Sequence, residues 1–244
     1  MRASRAVGVC VAAMVAIPVW LIPPAGAANT ISDSHSQSPD SGPDVHHDLS
    51  RPLTELTPAR PVPRGNHADS PLPTPPASTV GDPALQTAPA TASAPSVANN
   101  ILGVGNGFVG PQGTFTVNSA PPDTTGAVGP ADYVQVVNSG FAIFDKSGTV
   151  IYGPVPTNTL FGGFGGYCQT TNDGDATVKY DGAADRWVIT QFANTASTTG
   201  PYDQCVAVSL SGDPTGSYYR YAFQYASFPD YGKMGVWPDG YYMT

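Results

Sequence analysis

AVGPADYVQVV at 127–137 returns as YDGAADRWVIT at 180–190 and again as GVWPDGYYMT at 235–244. Each copy is a short apolar run, a turn of Pro, Gly, Asp or Ala, and a strand led by an aromatic residue. Those aromatics, Tyr133, Trp187 and Tyr241, stand 54 residues apart. A period of about 40–50 residues built from short strands marks a β-propeller blade. In the first unit Thr125–Val128, Tyr133–Asn138, Phe141–Phe144 and Thr149–Tyr152 read as four strands. The turn DKSG (145–148) joins the last two, with Gly148 available for positive φ. The second unit reads as Ala176–Tyr180, Trp187–Phe192, Cys205–Leu210 and Tyr218–Phe223, with GDPTG (212–216) as its outer turn. A third unit starts at Lys233 and reaches Thr244 within its second strand. The expected fold is all-β: an incomplete β-propeller over 100–244, of about two and a half four-stranded blades. Closure takes about 4–8 blades, so the chain reads as a piece of a longer protein. A complete β-sandwich is the alternative, but a sandwich has no reason to keep a 54-residue register. No stretch keeps a helical period over ten residues or more.

Residues 1–27 have the grammar of a secretory signal. Arg2 and Arg5 are followed by the apolar run Val7–Ile17 and the small-residue site Ala25-Gly26-Ala27. The apolar run is shorter than the ~20 residues that span a bilayer, and Pro18, Pro23 and Pro24 keep it from extending further. Cleavage and export to an extracellular location are expected. The exported chain carries 8 basic and 18 acidic residues, a net charge of −10, which repels nucleic acid and anionic lipid. No nucleic acid partner and no membrane span are expected.

Residues 28–99 hold half of the prolines and no Phe, Tyr or Trp. So little apolar bulk does not offset ordering entropy, and a disordered Pro/Ser/Ala/Thr-rich linker is expected. All four histidines and the only glutamate lie there. His46-His47-Asp48 reads as a solvated cluster more readily than as a metal site, because nothing nearby would hold a fixed geometry.

Several segments together resemble a group of uncharacterised secreted bacterial proteins. They are PPDTTGAVGPADYVQVVNSGFAIFDKSG (121–148), NDGD (172–175), DRWVITQF (185–192), CVAVSLSGDPTGSYYRYAF (205–223) and FPDYGKMGVWPDGYYMT (228–244). The resemblance spans roughly 108–244. It implies a signal peptide, a variable linker and a β-propeller-like repeat domain, and it implies no activity. A looser likeness is to five-bladed arabinanase-type propellers, where an Asp opens the innermost strand of a blade. SLSGDPTGSYY (209–219) also resembles the Asp-box turn of sialidase-like propellers, with Tyr in place of Trp; that motif is structural.

Asp123, Asp173 and Asp230 each precede the first strand of a unit, and Asp175 ends the NDGD segment. In a propeller the first strands line the central channel, so these four carboxylates are candidates for a metal site at its mouth. With no His in the domain, Ca²⁺ is the cation such oxygen ligands would take. The competing reading is that each Asp caps a turn through its own side chain. The Tyr-rich stretch SYYRYAFQY (217–225) suits stacking on sugars or a protein partner, or packing between blades. From Asn100 onward there is no His and no Glu, so no Ser-His-Asp or Cys-His system can be assembled. The expected function is a secreted, non-catalytic module that binds an extracellular glycan or protein. The alternative is a glycoside hydrolase of the five-bladed type, with Asp123 or Asp173 as general base and the acid elsewhere. Loss of Cys10 with the signal leaves Cys168 and Cys205 in an oxidising compartment, where they are expected to form a disulfide.

Overall fold

The structure, a computed structural model, describes residues 42–61, 88, 96–117 and 120–244. The signal-like segment 1–27, with Cys10, lies outside the described residues, as do 28–41, 62–87 and 89–95 of the proline-rich stretch. In chain order the strands are β1 (His46–Leu49), β2 (Val109–Gly110), β3 (Gly113–Thr114), β4 (Thr125–Val128), β5 (Asp132–Val137), β6 (Gly140–Asp145) and β7 (Val150–Pro156). They continue as β8 (Thr177–Asp181), β9 (Arg186–Ala193), β10 (Tyr202–Ser209), β11 (Tyr218–Tyr225), β12 (Met234–Trp237) and β13 (Gly240–Met243). Between β7 and β8 lie a 3-10 turn at Thr157–Phe161 and a short helix, α1, at Gly166–Thr170. The fold is all-β, made of separate antiparallel sheets, none of them closed. Among the described residues no helix is long and apolar enough to cross a membrane.

Both expected meanders are present. Sheet I runs β4-β5-β6-β7 and sheet II runs β8-β9-β10-β11, each in sequence order. β12 and β13 form a hairpin, so Tyr241 and its neighbours are paired. The three repeating aromatics take equivalent places in the ladders: Tyr133 opposite Val128, Trp187 opposite Tyr180, Tyr241 opposite Val236.

Alternation along the strands decides which side chains meet. In β5, Val134 and Val136 face sheet II, while Tyr133 and Val137 face the other way. The core between the sheets takes Val134, Val136, Phe141 and Ile143 from sheet I. From sheet II it takes Val178, Trp187, Ile189 and Tyr218. The outer face of sheet I is covered by the segment 96–117, whose Val104, Phe108 and Phe115 pack on Val137, Ala142 and Phe144. Burial on both faces explains why β5 and β6 read as nearly continuous apolar runs.

Sheet II has a fifth strand that the sequence does not announce. β1 adds to the outer edge of β11, with His46 opposite Ala222 and Leu49 opposite Tyr219. Leu53 and Leu56 continue from it into the main core. Residues 42–61 therefore depart from the disordered linker expected over 28–99. The physical reason is that an open strand edge offers main-chain partners to an extended segment. The Asp48–Arg220 pair, with Leu53 and Leu56, seats this one.

Candidate functional site

Three loops lead into the first strands, and the chain runs through each in a conformation that favours glycine. Asp123 has φ 40°, Asp175 φ 44° and Tyr231 φ 45°. Asp123 lies two residues before β4 and Asp175 two before β8. Tyr231 lies three before β12. Positive φ is uncommon in non-glycine residues, tolerated best by Asp and Asn, and concentrates where surrounding contacts over-determine the backbone.

Those contacts centre on Asn138, buried where β5 turns into β6. Its Nδ2 donates to Asp123 Oδ2 at 2.8 Å and to Asp175 Oδ1 at 2.7 Å. Its Oδ1 accepts from the Asp175 N–H at 2.8 Å. One amide thus ties two carboxylates from different sheets side by side. Tyr231 closes the group by donating its hydroxyl to the Asp123 carbonyl at 3.3 Å. Burial, then the Asp123 and Asp175 charges, raise the Tyr231 phenol above its ordinary pKa, so it keeps its proton. The Lys233 ammonium lies over the Tyr231 ring. The cluster offers carboxylate acceptors, an amide, an aromatic face and one cation.

The expected set of four aspartates does not converge. Asp123 and Asp175 come together, but Asp173 turns away and accepts the Thr195 N–H at 3.0 Å. Asp230 is exposed, and Tyr231 takes the position expected of it. Among the described residues no group of three or more His, Cys, Asp or Glu side chains could hold a metal ion. The reason is local. Gly174, at φ 97°, separates Asp173, bonded to Thr195, from Asp175, bonded to Asn138. The His46-His47-Asp48 cluster is spent in other ways: His47 pairs with Asp44, and Asp48 with Arg220.

The tyrosine-rich strand β11 divides by alternation. Tyr218 and Arg220 point inward and are buried, whereas Tyr219, Tyr221, Phe223 and Tyr225 line a groove of about 540 Å³. Tyr241 and Tyr242 of the hairpin form its other wall. One face of the strand therefore packs in the core, and the other lines the groove.

Two aspartates outside the cluster are held above the ordinary carboxylate range, Asp132 on β5 and Asp203 on β10, each chiefly by burial. The Gln224 amide donates to Asp203 Oδ1 at 3.1 Å and offsets part of that cost. Because the folded pKa lies above the unfolded one, the wild type loses stability as pH rises through the folded value. Asp203→Asn keeps the acceptor and removes the charge. It is expected to melt with the wild type near pH ~3, below the ordinary Asp pKa, and a few degrees above it at pH ~7. Thermal melting at the two pH values checks this; equal melting at neutral pH contradicts it.

No family model matches the chain, and comparison with the curated proteins and with the solved structures likewise finds no match.

Proposed function

We propose that sheets I and II are consecutive blades of a β-propeller. The protein would then be a secreted, non-catalytic module that binds an extracellular glycan through the lead-in loops. Support for the propeller is the way each unit engages the one before it. Thr125 of β4 bonds to the backbone on either side of Thr177, where β8 begins: its hydroxyl donates to the Ala176 carbonyl at 3.4 Å and accepts from the Val178 N–H at 3.2 Å. First strands thus lie beside first strands, as around a common axis. Trp187 rests on the β4–β5 turn of the preceding unit, and Tyr241 donates to Asp181 at the β8–β9 turn of its own predecessor at 2.9 Å. The resemblance of roughly 108–244 to secreted bacterial proteins, and a disulfide typical of oxidising compartments, support export.

The observation that carries the binding function is the convergence of Asp123 and Asp175 on buried Asn138, with Tyr231 bonded to the Asp123 carbonyl. Paired carboxylates accept from vicinal sugar hydroxyls, and an aromatic face stacks on the ring. Binding needs only the paired acceptors and the aromatic face; glycoside hydrolysis would need, in addition, a carboxyl group kept protonated opposite an ionised one.

The test is a glycan array probed with the full chain, followed by Asp123→Asn with Asp175→Asn. Asn tolerates the left-handed backbone and keeps the contacts to Asn138, so the variant changes charge and not shape. Binding is expected to weaken at least tenfold, on the order of 1.4 kcal/mol, with melting unchanged. A wild type that binds no glycan sinks the reading. A variant that binds as well as the wild type moves the site elsewhere, with protein recognition through the tyrosine groove as the next arrangement to test.

A further inference from the structure

Residues 45–57 are attached to sheet II in the way a bound peptide is attached. The Val45, Ser50 and Leu53 N–H groups donate to the carbonyls of Ala222, Tyr218 and Gly216 at 2.8, 2.9 and 2.9 Å. Ser50 Oγ accepts the Tyr218 N–H at 2.9 Å. Four further residues, His46 to Leu49, pair antiparallel with β11. Main-chain bonds of this kind provide affinity in strand addition, and alternate side chains provide specificity.

Here the specificity comes from three points. Asp48 meets Arg220 in a two-pronged pair, Nε to Oδ1 at 2.8 Å and Nη2 to Oδ2 at 2.6 Å. Leu53, fully buried, and Leu56, 7 % exposed, enter the core. The remaining residues of the strap are mostly exposed, including His46, His47, Leu49, Arg51, Thr54 and Glu55.

The receiving side is organised by the domain itself. Arg220, only 3 % exposed, also donates through Nη1 to the Leu160 and Gly162 carbonyls at 3.0 Å each, and it lies over the Phe164 ring. None of these partners belongs to the strap. A guanidinium aimed in advance at a carboxylate is a recognition element, because its planar fork loses little freedom on pairing. Beyond Pro61, 34 residues pass before Ser96, so the strap is joined to the domain only through a long intervening stretch.

We propose that the outer edge of β11, with Arg220 at its centre, is a peptide-docking site. It takes an extended segment with a carboxylate, a leucine five residues on and a second leucine three after that. The strap is its resident occupant, and the strap of a second copy of this chain is the ligand it fits in exchange.

A labelled peptide of residues 42–61 tests this by fluorescence anisotropy against the full chain, the full chain with Leu53→Asp, and the full chain with Asp48→Arg. Both substitutions weaken the resident strap and leave the receiving groups untouched. The peptide is expected to bind the two variants at least tenfold more tightly than the wild type, whose own strap competes. An Asp48→Asn peptide is expected to lose at least tenfold in affinity. The proposal is overturned if the peptide binds wild type and variants alike or binds none of them. It is also overturned if the Asp48→Asn peptide binds like its parent. Loss of the β-sheet circular dichroism signal in both variants overturns it too, because the strap would then be an integral part of the core.

Discussion

Replacing Cys168 and Cys205 together by alanine is expected to lower the unfolding free energy by about 4 kcal/mol, the chain-entropy value for a loop of this length. The bond links α1 to β10 across a sequence separation of 37, and both cysteines are fully buried. α1 has five residues, too few to persist without tertiary support. The stretch from Thr157 to Asp175 leaves sheet I at β7 and enters sheet II at β8, and it carries the lead-in loop with Asp175. Cutting the bond therefore loosens both the helix and one side of the Asn138 cluster. Urea unfolding of wild type and double variant measures the loss, and the melting temperature is expected to fall on the order of 10 °C. A loss below about 1 kcal/mol would mean that packing alone holds α1 and that the bond adds little. Mass spectrometry of the unreduced protein provides an independent check, since two alkylatable thiols would contradict the bond outright.

Trp187→Ala is expected to cost about 3–5 kcal/mol, the range for removing a buried aromatic side chain. Trp187 is fully buried on the face of β9 that meets sheet I. Its indole N–H donates to the Gly212 carbonyl at 2.9 Å, and Tyr180 packs against its ring at 4.9 Å between centroids. It reaches sheet I at Gly129, where a Cβ would come within 2.6 Å of Trp187 Cζ2. Gly129→Ala is thus a milder probe of the same contact, expected to destabilise by about 1–3 kcal/mol through overpacking. Hydrogen exchange gives the sharper readout. In Trp187→Ala the strands of sheets I and II should lose protection together, because the ring joins two sheets. Loss confined to β9 and β10 would show that the ring serves only its own sheet.

The strands are legible in the sequence because two signals agree. Short apolar runs recur on one period, and Gly, Pro and Asp punctuate the runs. Together they place β4 at Thr125–Val128 and the other seven strands of the two meanders within a few residues. The four-strand order comes from short connections, which leave antiparallel neighbours little choice. The disulfide is legible by counting, since only one pair remains once Cys10 is set aside. The aspartate cluster is not legible, because spacing along the chain carries no information about direction. Gly174 turns Asp173 toward Thr195 and Asp175 toward Asn138, and no residue near 173 in the sequence signals a partner at 138.

Sequence alone determined the repeat, the all-β class and the ranges of most strands, because these depend on the chain's own period and turn chemistry. Only the tertiary structure decided that Asn138 gathers Asp123 and Asp175, that Arg220 turns inward to receive Asp48, and that residues 46–56 leave a proline-rich stretch to join sheet II. Each of those depends on contacts between residues far apart in the chain. A backbone edge and a buried amide accept partners by geometry, which no local pattern of residues encodes.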